Sequence, residues 1–145
     1  MTSSRRISEL EIWLAEHLSQ LLDSGDEIVE ILHLTQELRS DPIASGLGMP
    51  FTNRHEIRPK FAFTVRDENQ DISLGIIEYS EKALGLKGIG EMQVFARMAN
   101  PKYAIILCNK SLSRELLQLK ADPEISDRLF NYGSGRSILT FDLNV

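Results

Sequence analysis

Apolar positions change period along the chain, and the changes divide it into elements. From Ile7 to Leu22 apolar residues fall at 7, 10, 14, 18, 21 and 22, the spacing of a helix with one buried stripe, flanked by Ile12 and Trp13. Ser24-Gly25-Asp26-Glu27 interrupts that pattern. Asp26 is placed to cap a second helix over about 27–39, whose apolar face is Ile28, Ile31, Leu32, Leu34 and Leu38. Residues 43–59 are rich in Gly and Pro and read as loop with room for one short strand. From Lys60 the period becomes two. KFAFTV alternates around Phe61, Phe63 and Val65, DENQD turns the chain, and ISLGIIEYS returns as the more apolar, more central arm of a hairpin.

GLKGIGEMQVFARMAN reads as a loop leading into a helix over about 88–99, bearing Ile89, Met92, Phe95, Ala96 and Met98, with Pro101 as its stop. KYAIILCN is a wholly apolar run of the kind that fills a buried parallel strand. SLSRELLQLKADPEISDRLFNYG is helical with a break at Asp122-Pro123, and SILTFDLNV closes as a strand alternating around Ile138, Thr140 and Asp142. The order α-α, β-β(-β), α, β, α, β predicts a single α/β domain over residues 1–145. Its mixed central sheet is flanked by helices, with an N-terminal helical pair over 1–41 and an α/β core over 51–145.

Composition narrows the class without naming an activity. The 145 residues are 42% apolar and 26% charged, the balance of an ordinary globular domain with enough chain to bury a core. No apolar run approaches the roughly 18–20 residues that span a bilayer, and the N-terminus lacks the uninterrupted apolar stretch of a signal peptide. The lone Cys108 makes neither an internal disulfide nor a Cys-based zinc site, so a cytoplasmic location is the expectation. The net charge of −5 is uneven. Residues 1–45 carry three basic and nine acidic groups, a net of −6, and the remainder carries 13 basic and 12 acidic, a net of +1. The acidity therefore does not argue against an anionic partner for the C-terminal two thirds.

The polar positions within this order carry a resemblance. Pro59-Lys60 opens the first hairpin strand, Glu78-Tyr79-Ser80 lies near the end of the second, and Gln93 lies on the following helix. With that order of elements, residues 26–143 resemble the restriction-endonuclease-like superfamily, the PD-(D/E)xK nucleases. Their shared core is an opening helix, a strand meander, a helix, a strand, a helix and often a last strand. The resemblance implies a Mg²⁺-dependent phosphodiesterase centre with Glu78 as a metal-binding acid and Gln93 as an auxiliary. Glu30 or Glu37 on the preceding helix matches the extra acid that some branches carry. Two positions depart: Lys60 stands where a metal-binding carboxylate belongs, and Ser80 stands where the lysine belongs.

Mg²⁺ is held by hard oxygen ligands, normally more than one carboxylate, so an active centre needs Glu78 joined by Asp71 or Glu30, with Lys82 or Lys87 replacing the absent lysine. The alternative is an ion pair between Lys60 and Glu78 across the hairpin, which fills the space of a metal site with the opposite charge. Gln93 and Arg97, one turn apart, match a phosphate contact as well as an exposed polar face. GLKGIG offers backbone amides to an anion or serves as a tight connection. Arg54, His55, Arg58 and Lys60 form a basic loop that suits phosphates or is equally a solvated loop whose charges are offset by the acidic N-terminal helices. His17, His33 and His55 show no zinc spacing, and Ser134 lacks a nearby His and Asp. Three functions remain open: a degenerate nuclease-like domain that binds DNA or RNA or serves a nucleic-acid-processing complex, an active Mg²⁺ nuclease, and a protein-interaction module. The last would dock partners through its acidic N-terminal helices, a homodimer being one form.

Overall fold

The computed structural model describes residues 4–33, 59–133 and 135–143. Helix α1 spans Ser4–His17 and ends in a 3₁₀ turn, Leu18–Leu21. Strands β1 (Glu27–His33), β2 (Phe61–Arg66) and β3 (Ile72–Ser80) follow as an antiparallel meander. Helix α2 (Leu86–Ala99) crosses over to β4 (Tyr103–Cys108), which lies parallel to β3. Helices α3 (Arg114–Lys120) and α4 (Pro123–Phe130) lead to β5 (Asn131–Gly133) and to β6 (Arg136–Asp142), which is parallel to β4. The six strands form one mixed sheet in the order β1-β2-β3-β4-β6-β5. The chain is thus an α/β domain, with four α-helices among the described residues. None of them is long and apolar enough to cross a membrane.

Strand alternation divides the core into two layers. On one face Phe61, Phe63, Val65, Ile77, Ile105 and Leu107 pack against Leu10, Leu14 and Leu18 of the N-terminal helical segment. On the other, Ala62, Leu74, Ile76, Ala104, Ile106 and Ile138 pack against Ile89, Met92 and Phe95 of α2, Leu116 of α3 and Phe130 of α4. Gly75 makes the first layer possible. It lies between Phe63 and Tyr103 in the register, and a Cβ there would stand 2.1 Å from the Phe63 ring, which instead stacks on Tyr103 with centroids 6.1 Å apart.

The helix expected over 27–39 is instead strand β1 for residues 27–33, and residues 34–39 lie outside the described residues. The reason is a β-bulge. Ile28 pairs with Val65 and Ile31 with Phe63, with the register shifting between Ile28 and Glu30, so Val29 is the extra residue. The bulge puts Ile28 and Ile31 on one face, three residues apart, and imitates a helical stripe. The expected N-terminal helical pair is therefore one helix and an edge strand of the main sheet, and a core beginning at residue 51 omits β1. Asp26 caps no helix. Its carboxylate, 4% exposed, accepts hydrogen bonds from Lys102 Nζ (3.1 Å) and the Tyr103 hydroxyl, tying the turn before β1 to the start of β4. The hairpin, its turn, α2, β4, the break at Asp122-Pro123 and the last strand fall where the pattern puts them.

Candidate functional site

The pairing of Phe61 with Ile77 sets Lys60, at the entry to β2, opposite Glu78 near the end of β3. Lys60 Nζ lies 3.9 Å from Glu78 Oε1, with side chains 30% and 20% exposed, so the cross-strand ion pair forms. The Tyr79 backbone N–H donates to the same oxygen at 3.0 Å. Around the pair is a cleft of about 240 Å³ lined by Lys60, Glu78, Ser80, Leu84, Gly88 and Glu91. Burial raises the Glu78 carboxyl pKa to about 7; the Tyr79 N–H and Lys60 pull it down, and Glu91 pushes it up. One half-buried acid, one cation and a facing acid make a site whose acids outnumber its cation, suited to hydrogen bonding, with Glu78 partly protonated near neutral pH.

The other candidate acids do not join it. Glu30 pairs with Thr64, which pairs with Leu74, so Glu30 lies two strands across and four residues along from Glu78. Asp71 precedes β3 at the hairpin turn, seven residues or about 23 Å from Glu78 along an extended strand. Its backbone N–H donates to Asp67 Oδ1 at 3.0 Å within that turn. Among the described residues no group of three or more His, Cys, Asp or Glu is placed to hold a metal ion. Lys82 is exposed past the end of β3, where Ser80 Oγ donates to its carbonyl at 2.8 Å, and it does not line the cleft. Lys87 is exposed in the first turn of α2, next to Gly88 of the cleft wall.

Gln93 faces elsewhere. Its Nε2 donates to the carbonyls of Leu129 (2.6 Å) and Asn131 (3.0 Å), and its Oε1 accepts from Arg97 Nε at 3.2 Å. It fastens α2 to the junction of α4 and β5, and Arg97 supports it from an exposed position. Gly85 caps α2, and the Ser113 N–H donates to the Leu84 carbonyl at 2.7 Å, so the glycine-rich segment works as a tight strand-to-helix connection. Arg54, Arg58, His55, Glu37 and Ser134, with the loop over 43–58, lie outside the described residues. His33 stacks on Phe61 and lies 3.7 Å from Glu11.

A second cleft, which the sequence pattern does not reveal, opens on the opposite face of the same strand end. Tyr79 alternates with Glu78, so its ring points to the α1 side, where Glu9, Leu10, Trp13, Asn109 and Leu143 complete a cleft of about 140 Å³. These residues come from α1 and from the carboxyl ends of β3, β4 and β6, which only the parallel pairing brings together. Trp13, at the side of the helical stripe, was the one local signal. No protein-family model, curated protein or solved structure matches the chain.

Proposed function

We propose that this chain is a restriction-endonuclease-like domain in which an ion pair has replaced the metal centre, and that it binds nucleic acid without cutting it. The observation that carries the reading is the 3.9 Å Lys60–Glu78 pair at the two strand positions that hold metal-binding carboxylates in the family it resembles. The order of an opening helix, a three-strand meander, a helix, a parallel strand, helices and a last strand supports the same assignment. The separation of Glu78 from Glu30 and Asp71 favours binding over Mg²⁺ chemistry, because among the described residues no second carboxylate on a separate strand joins the pair. Lys60, Lys82 and Lys87 supply cations around the end of β3 for phosphate contact.

Fluorescence anisotropy with labelled single- and double-stranded DNA and RNA in EDTA tests this reading. Binding without metal is expected, weakening with salt on a log–log slope of about −2 to −3 for three phosphate contacts. Lys82→Ala and Lys87→Ala are each expected to reduce that slope by about one unit. No cleavage is expected in Mg²⁺ or Mn²⁺. Metal-dependent cleavage abolished by Glu78→Gln would establish the nuclease instead, and absence of binding to every probe would overturn the reading.

A further inference from the structure

We propose that the Trp13 cleft is a base pocket: one unpaired nucleobase of a single strand stacks on the Trp13 indole and presents its hydrogen-bonding edge to the Asn109 amide. The assignment rests on the nucleic-acid reading above and deepens it by naming the form of ligand. Four observations lead to it. The cleft lies at the carboxyl ends of three parallel strands, the end of an α/β sheet at which ligands collect. Its volume of about 140 Å³ suits one small planar group and not a folded element. Its walls combine a flat indole and a tyrosine ring with the apolar side chains Leu10 and Leu143, the surface on which bases of any sequence stack. Of its polar side chains, the Asn109 amide carries a donor and an acceptor side by side, the pattern that matches a base edge. The Glu9 carboxylate on the same cleft can accept from a base amino group and keeps the phosphates outside.

The surroundings supply a path for the backbone. The Asn109 N–H donates to the Ser80 carbonyl at 2.9 Å, so the ends of β3 and β4 lie side by side. Beyond those ends stand the exposed Lys82 and Lys110. Glu78 and Tyr79 are consecutive, so the cleft with the ion pair and the cleft with the indole open on either side of one strand end. A strand held at its phosphates by Lys60, Lys82 and Lys87 therefore needs to pass only over the end of β3 to deliver a base to Trp13. A duplex cannot do this without opening a pair, so an unpaired base is the form that fits.

Trp13 is the sole tryptophan, so its fluorescence reports on this cleft and on the His17 ring tilted against it, centroids 5.1 Å apart, and the titration is run at one fixed pH. The wild-type protein is titrated with a short single-stranded oligonucleotide and with an abasic strand of the same length, following both Trp13 emission and the anisotropy of a label on the strand. Binding of the base-bearing strand about 5- to 150-fold tighter than the abasic one, with quenching of Trp13 by the former only, is expected for one stacked base. Trp13→Ala removes that preference and leaves abasic binding unchanged. Asn109→Ala weakens only the base-bearing strand and is the check if Trp13→Ala fails to fold. Equal affinity for the two strands, without quenching, overturns the base pocket while leaving the nucleic-acid reading in place. Binding of neither strand overturns the base pocket, and the nucleic-acid reading falls with it when the duplex probes also fail to bind.

Discussion

Glu78 folds at a disadvantage when it is charged. Its carboxyl pKa is raised from the ordinary 4.5 to about 7, chiefly by burial, with Lys60 from β2 and the Tyr79 N–H opposing and Glu91 from α2 reinforcing the rise. A raised carboxyl pKa means that the folded state prefers the proton. The stability this contributes is fully present below about pH 4.5, declines as pH rises, and is gone above about pH 7. Glu78→Gln, which keeps the shape and removes the titration, is expected to gain on the wild type by a few kcal/mol at most between pH 4.5 and 7.5. Urea unfolding of the two proteins across that range measures it. A stability difference independent of pH would mean that Glu78 titrates normally. The ion pair is thus a compromise: Lys60 offsets part of the cost of burying a carboxylate, and the net shift shows that it does not offset all of it.

At the scale of elements, β1 is where the sequence misleads, and the bulge explains how. Ile28 and Ile31 share a face because Val29, 46% exposed, is squeezed out of the ladder. Deleting Val29 therefore leaves Ile28, Glu30 and Ile31 in plain alternation against Val65, Thr64 and Phe63. Little loss in the urea midpoint is expected, whereas a helix would have had its stripe turned by about 100°. The hairpin and β4 were legible because their period matched their burial: Phe61, Phe63 and Val65 on one face, and the unbroken YAIILC in the centre of the sheet. The opposition of Lys60 and Glu78 was legible too, since a hairpin of known turn fixes its register. Separation of Asp71 and Glu30 from Glu78 depends on where each strand begins. The role of Gln93 depends on two carbonyls 36 and 38 residues away, which no local pattern encodes.

Across the whole molecule the two ends of the sheet differ in kind. One end holds both clefts; the other is closed by Asp26, Lys102 and Tyr103, which join residues nearly eighty positions apart. Burial pushes the Asp26 carboxyl up, but hydrogen bonds from Lys102 and Tyr103 outweigh it and hold the group below its usual range. Its contribution is present at and above the ordinary carboxylate pKa and is lost as pH falls through the lower folded value. Asp26→Ala is expected to destabilise by about 1–3 kcal/mol at pH 7 in urea unfolding, leaving two donors without their acceptor, and by less in strong acid. That clasp is remote from the clefts, so the variant should keep wild-type affinity for single strands. The open end is arranged differently, because consecutive residues of β3 serve opposite faces. Gain or loss of a single residue before Glu78 would therefore exchange the two inhabitants, sending the carboxylate to the indole and the phenol to the lysine. A one-residue change in β3 is consequently expected to disturb both clefts at once, unless a bulge absorbs it as Val29 is absorbed in β1.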